Sequence, residues 1–362
     1  MLPDYQYALL EEQDTRTYAQ TDPRGFLRQF SGPVILDEAQ RVPELFSYIM
    51  GAVDNDNRPG RFVLSGSQNF LLMEAVTQSL AGRTAVMTLL PLSISELQGR
   101  PPRTIANLER GTMTGDDTAG ADLFQVMHAG FYPRIHDAHI AAGEWLADYF
   151  QTYVQRDVRM TVTVGDLDAF TRFVQLCAGR VGQPLNLTSL GSDCGISHST
   201  ARRWLSILQR SYIVFLLKPH FKNFSKRIIK TPKLFFYDSG LLCWLLRIRS
   251  PEDLRMHASR GSIFESMVIA DICKSYVHQR VRPPLYYWRD STGHEVDLII
   301  DTNEKLVPVE IKSAETFNPS MIDGLTYWRT IAGDAAGAPL LIIGGAGIMT
   351  YRDCRVFPWS VL

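Results

Sequence analysis

The chain has 362 residues, 45% hydrophobic and 21% charged, with a net charge of −1. That composition is globular, with room for two or three domains at roughly 100–200 residues each, and it excludes collagen-like, coiled-coil and disordered chains. Five Cys, none in a C-x-x-C pair, argue against a disulfide scaffold or a structural zinc site and fit a reducing cytosol, so a cytoplasmic location is expected. Apolar runs such as residues 241–246 are too short for a membrane span, and the first residues lack the pattern of a secretory signal. Charge is uneven along the chain. Residues 1–60 hold ten acidic and five basic residues, a local net of −5; residues 150–260 hold seven acidic and seventeen basic, a local net of +10. The basic middle is the nucleic-acid candidate, with a solvated surface as the plain alternative.

Residues 5–11 read as a short strand. Asp22-Pro23 opens a helix, Asp as cap and Pro in the first turn. Residues 33–38, Pro-Val-Ile-Leu-Asp-Glu, form an apolar run tipped by two carboxylates, the pattern of a buried parallel strand. A helix over 42–53, a second buried strand over 61–65 and a helix over 70–80 follow. This alternation predicts an α/β unit with a parallel sheet. Residues 98–121 read as a linker or insertion. Residues 144–158 predict an amphipathic helix rich in aromatics. Beyond 261 come a helix at 262–279 and strands at 285–289, 295–301 and 306–312. A helix carrying Met321, Leu325 and Trp328 and an apolar strand at 339–343 complete the pattern.

Three constellations carry chemistry. Val34-Ile-Leu-Asp37-Glu38 has the form of a Walker B strand, which delivers Asp37 to the ligand edge of a parallel sheet. Asp37 would hold Mg²⁺, and Glu38 would orient or deprotonate the attacking water. Ser65, Ser67, Gln68 and Asn69 would lie beside the γ-phosphate, and Arg83 would sense phosphate or act as a finger arginine. A strand with solvated acidic ends is the simpler reading. The companion P-loop, G-x-x-x-x-G-K-[ST], is missing, since no Gly is followed by Lys. Without such a loop to cradle the phosphates, weak ATP binding by the chain as it stands, or none, is expected.

The second constellation spans 187–237. A helix from Leu187, a turn at Gly195-Ile-Ser197 and a helix over 199–208 carrying Arg202 and Arg203 have helix–turn–helix spacing. Wing strands are expected at 213–217 and 234–237. Between them Lys218, Lys222, Lys226, Arg227, Lys230 and Lys233 occur with no acidic residue and with Phe221 and Phe224 interleaved, which suits phosphate contacts. The winged-helix form also serves as a spacer or protein contact.

In the third, Asp297 on one strand and Glu310-Ile-Lys312 on the next follow the D-x₁₂-E-x-K pattern of restriction-endonuclease-like folds. Glu310 and Lys312 would share one face, with Val309 and Ile311 toward the core. Two carboxylates would hold Mg²⁺, and the lysine would activate water or steady phosphate. Glu265, on the preceding helix, would be a further carboxylate. An inactive copy and a salt-bridged hairpin are the alternatives. His136-x-x-His139 lacks a third ligand and reads as two surface histidines, and the Cys residues read as small buried hydrophobes.

Residues 9–16, 32–41, 61–69, 79–83 and 89–96, then Gly130-Phe-Tyr-Pro-Arg134, 153–157, Phe236-Tyr-Asp-Ser-Gly240, 288–297 and 309–312, carry a resemblance in combination. Together they resemble a prokaryotic family of AAA+-superfamily ATP-binding proteins with a C-terminal domain of unknown function, number 4143. The resemblance implies α/β architecture in several parts. These are a truncated AAA+-like parallel-sheet domain at 1–97, a linker or insertion at 98–121 and a helical lid or connector at 122–186. A winged-helix domain at 187–240 and a restriction-endonuclease-like α/β domain at 241–362 complete it. Such proteins begin with a Walker A strand and loop, so a truncated member with an open, aggregation-prone sheet edge is expected. The function expected is that of an AAA+-type ATP-binding protein acting on DNA. The rivals are a Mg²⁺-dependent nuclease through Asp297, Glu310 and Lys312, or a non-enzymatic winged-helix DNA-binding protein. ATP and Mg²⁺ are the expected cofactors, DNA the expected partner, and homo-oligomers are a further expectation.

Overall fold

The structure is a computed structural model that describes residues 3–56, 58–67, 72, 76, 78–101, 107, 122–154, 167–220 and 230–362. It has two compact units, Met1–Met87 and Thr88–Leu362. The expected helix at 70–80 and the expected linker at 98–121 lie mostly outside the described residues, as do Gln68, Asn69, Lys222, Lys226 and Arg227.

The first unit is built on three parallel strands, β1 (Gln6–Leu9), β2 (Val34–Asp37) and β3 (Phe62–Leu64), in that spatial order. Central β2 pairs Leu9 with Asp37 on one side and Leu36 with Leu64 on the other. Its Val34 and Leu36 are fully buried against Ala19, Phe26, Phe46 and Ile49. These come from helices α1 (Gln13–Thr21), α2 (Pro23–Arg28) and α3 (Leu45–Asn55). Asp22 caps α2 by accepting from Gly25 N at 2.9 Å, and Pro23 occupies the first turn, where its missing N–H costs nothing. The 61–65 strand is half-buried rather than buried, because among the described residues of this unit it has a strand partner on one side only.

In the second unit helices and a mixed eight-stranded sheet share a core. The helices are α4 (Ile94–Leu97), α5 (Leu123–Ala129), α6 (Pro133–Asp137), α7 (Ala142–Tyr149), α8 (Leu167–Ala178), α9 (Leu187–Cys194) and α10 (His198–Arg210). They continue with α11 (Ser239–Leu245), α12 (Pro251–Met256), α13 (Arg260–His278) and α14 (Asp323–Ala332). The expected 144–158 helix is α7, extended by a looser π-type turn at Phe150–Val154. The strands are β4 (Val214–Pro219), β5 (Lys233–Phe236), β6 (Leu285–Arg289), β7 (Glu295–Asp301), β8 (Leu306–Lys312), β9 (Leu340–Ile343), β10 (Met349–Tyr351) and β11 (Cys354–Pro358). Their order is β10-β11-β9-β8-β7-β6-β4-β5.

The β4–β5 hairpin does not stand apart, since β4 also pairs in parallel with β6 through Lys218–Tyr286 and Pro219–Tyr287. The turn between α9 and α10 uses Gly195 at φ 70°, and Ser197 caps α10 through Thr200 N. Helix α13 is buried nearly all round, with Ile263, Phe264, Val268 and Ile269 at 0% exposure, as suits a core helix. It packs on β5 and β8, while α14 packs on β7 and β8. Covered on both sides, β7 and β8 read as near-continuous apolar runs in which a carboxylate is conspicuous. All five cysteines are free and buried. Among the described residues, no helix is long and apolar enough to cross a membrane.

Candidate functional site

At the carboxyl end of β2, Asp37 accepts from Ser65 Oγ at 2.5 Å, Tyr7 Oη at 2.6 Å and Glu38 N at 3.0 Å. Partial burial pushes its pKa up, but these three donors outweigh it and hold the carboxyl below its ordinary value. The same bond pushes the Tyr7 hydroxyl up to about 12. Glu38 adopts a left-handed backbone, φ 54°, an unusual state for a residue with a side chain. Its Oε2 accepts from Gln40 Nε2 at 2.7 Å and Ser67 Oγ at 3.3 Å. Asp37, Glu38, Ser65 and Ser67 therefore do meet. Arg83 does not join them: its guanidinium forks onto Asp54, at 2.6 and 3.2 Å. An ionised, well-ordered Asp37 fits a Mg²⁺-binding acid. No segment of the 362 residues has the P-loop pattern that would cradle the phosphates.

Arg202 and Arg203 are exposed on α10. Lys233 requires a correction, because it is not a wing residue facing phosphate. It is 2% exposed, anchored in β5 opposite Leu217, and its ammonium turns inward.

There it meets a cluster of carboxylates at one end of β7 and β8. The β7–β8 ladder ends at the Leu298–Val309 pair. Beyond it, Ile311 N donates to Asp297 Oδ2 at 2.9 Å instead of to a strand carbonyl. Lys312 Nζ lies 3.5 Å from that same oxygen and 2.5 Å from Glu310 Oε1. The two carboxylate oxygens are thus no farther apart than those lengths together, about 6 Å, whereas two oxygens bound to one Mg²⁺ at about 2.1 Å lie within roughly 4 Å. Glu265, on α13, accepts from Lys233 Nζ at 3.4 Å. Glu295 pairs with Lys233 and, through its other oxygen, with Arg289 Nη1 at 3.3 Å. The expected residues Glu265, Asp297, Glu310 and Lys312 are therefore together, and Lys233 and Glu295 are added. Glu295 stands two residues before Asp297 on β7 and was open to detection by period-2 alternation. Lys233 was hidden because it falls at the end of a basic run.

The donor set fits a hard cation: oxygen ligands without thiol or imidazole. Glu310 Oε2 is buried without a hydrogen-bond partner, a costly state that a cation would relieve. Among the described residues no three acid, His or Cys side chains form a ready-made cage, so water would complete the coordination of Asp297 and Glu310. Burial, then the neighbouring Asp297, pushes both Glu265 and Glu310 up to about 8.

Those shifts carry a stability prediction. Between 4.5 and about 8 the folded chain keeps protons that the unfolded chain has released, so stability falls as pH rises through that window. Lys233 and Lys312 are raised by their acidic neighbours against the effect of burial. Their contribution is full below 10.5 and does not oppose the fall. Thermal melts should show Tm dropping by several degrees from pH 5 to pH 8, with a shallower slope in Glu310→Gln. A Tm that rises across the window, with the same slope in both chains, would contradict the assignment.

Residues 2–98 match the family described as an AAA domain, residues 120–252 the domain of unknown function DUF8612, and residues 260–362 the domain of unknown function DUF4143. The matches thus agree with the resemblance, an AAA domain followed by the C-terminal domain of unknown function number 4143. Similar proteins include the uncharacterized protein Rv2008c of Mycobacterium tuberculosis and the uncharacterized protein Mb2031c of Mycobacterium bovis. Each is 28% identical over 295 residues, which is 82% of this chain and 62% of the relative. The chain therefore spans less than two thirds of their length.

Proposed function

We propose that this protein is ATPase-like and acts on DNA. The observation that carries the reading is the pair α9–α10 joined at Gly195, with Arg202 and Arg203 exposed on the second helix and the β4–β5 hairpin following it. Two short helices and a hairpin in that order have winged-helix form, and exposed arginines on the second helix suit groove and phosphate contacts. The basic residues Lys222, Lys226 and Arg227 would add to the same interaction. Changing Arg202 and Arg203 to Glu should weaken binding to duplex DNA roughly 10-fold or more at low salt. It should also flatten the salt dependence, by about one unit of slope for each phosphate left without its cation. Unaltered affinity and slope in a fluorescence anisotropy titration would refute this role for the two arginines.

The cluster at β7 and β8 favours a second reading, a Mg²⁺-dependent nuclease. A divalent cation bound there would polarise a phosphoryl oxygen and make bound water acidic enough to attack. Asp297 and Glu310 would supply its protein oxygens. Lys312 has 39% of its side chain exposed. It would leave the pair and neutralise charge building on the scissile phosphate. Metal-dependent nicking of supercoiled plasmid tests this reading, and no nicking with Mg²⁺ or Mn²⁺ would leave a binding protein.

A further inference from the structure

Two ammonium groups divide four carboxylates into two pairs. Lys312 holds Asp297 and Glu310; Lys233 holds Glu265 and Glu295. The two lysines are not equivalent. Lys312 keeps 39% of its side chain in solvent, whereas Lys233 keeps 3%. The Lys233 backbone is fixed on both sides, by Leu217 of β4 and by a bridge to Pro184. Its ammonium lies 5.3 Å from the centre of the Tyr287 ring, and Tyr287 Oη in turn donates to Thr231 O. Lys312 can exchange for another cation by swinging into water. Lys233 has no such path, and a buried ammonium that left the half-buried Glu265 and Glu295 would itself be stranded without its counter-charges. The hydrogen bonding agrees. Among the described residues of the cluster, the carboxylate oxygen buried without a partner is Glu310 Oε2, on the Lys312 side.

We infer that Lys233 is a built-in cation that restricts the cluster to a single divalent ion. It occupies the position between Glu265 and Glu295 that a second ion would take, and it withdraws Glu265 from coordination. The site takes one ion, at the place Lys312 vacates. This deepens the second reading above and rests on it.

The test is stoichiometry, which does not depend on any activity. Every chain, including the one with an intact cluster (the wild type below), carries Asp37→Asn so that the acid at the end of β2 adds no ion; it is titrated with Mn²⁺, and bound ion is counted from the loss of free-ion signal in electron paramagnetic resonance. The wild type should take up one ion per chain, and Lys233→Gln should take up two. Should Lys233→Gln fail to fold, Lys233→Met, which fills the volume of the stem and leaves Glu265 and Glu295 in place, is the second variant and should likewise bind two. Lys233→Arg keeps the charge and should stay at one. A wild type that binds two ions, or neutral variants that keep one at unaltered affinity, would overturn the role of Lys233 and leave the metal site standing. A wild type that binds none would overturn both.

Discussion

Asp297→Ala is expected to weaken Mn²⁺ binding by at least about 100-fold and to abolish metal-dependent plasmid nicking. Loss of an outer partner of a metal ligand alone costs about 10–100-fold, and a direct ligand should cost more. Asp297 is one of two carboxylates at the position held by Lys312, and it also accepts the Ile311 N–H. Alanine removes both functions, so part of any loss would come from an orphaned backbone donor. Asp297→Asn separates them. Its amide oxygen still accepts from Ile311 N, while the negative charge is gone. If the charge matters, Asn and Ala lose metal alike, and Asn, which alone keeps the Ile311 N–H satisfied, should melt above Ala. An Asn variant that binds Mn²⁺ as tightly as wild type would show that the ion sits elsewhere. Nicking that survives both changes would point to a contaminating nuclease.

Much of this was legible in the sequence because period and charge coincide there. The run at 33–38 announces β2 and its acidic tip, since a compact apolar run that stops at charge fits the central strand of a parallel sheet. The spacing of Asp297, Glu310 and Lys312 survives translation into β7 and β8 because antiparallel neighbours place opposed residues side by side. Other features were illegible for physical reasons. Strands β10 and β11 are short, and the Met349–Tyr351 pairing depends on a partner rather than on its own pattern. Arg83 lies near the expected nucleotide edge in sequence, yet a bidentate acid on α3 claims it. Lys233 looked like its basic neighbours, and only its burial in β5 and its Glu265 and Glu295 partners show that it turns inward. Composition describes a run of lysines as a surface; burial is decided residue by residue.

Asp238→Ala is expected to destabilise the second unit by about 3–5 kcal/mol, the range for stripping a partner from a buried charged network, or roughly 10 °C in Tm at about 2–4 °C per kcal/mol. Asp238 is 1% exposed. Its Oδ2 accepts from Phe131 N at 2.6 Å and its Oδ1 from Leu241 N at 2.7 Å, capping α11. Burial pushes its pKa up, while these donors and nearby Lys274 pull it down. Lys274, also buried, donates to Leu92 O at 2.8 Å, and Asp271 accepts from Ile94 N at 2.6 Å. Three of the stretches that carried the resemblance, 89–96, Gly130-Phe-Tyr-Pro-Arg134 and Phe236-Tyr-Asp-Ser-Gly240, thus converge on one buried polar knot. No chemistry had been assigned to them. Their backbones touch: a Cβ on Gly240 would lie 2.6 Å from Ala129 O and 2.8 Å from Gly130 Cα, so no side chain fits there. Asp238→Asn is the sharper test. If the residue only filled space, the isosteric amide would be nearly neutral. Because both oxygens accept backbone N–H groups, the amide must turn its NH₂ toward one of them, leaving a buried donor facing a donor. Asn should therefore cost at least about 1–3 kcal/mol, the penalty for one unsatisfied buried group, and chemical denaturation should show a lowered midpoint at unchanged slope. A wild-type midpoint in Asp238→Asn would mean that the knot is held by packing alone.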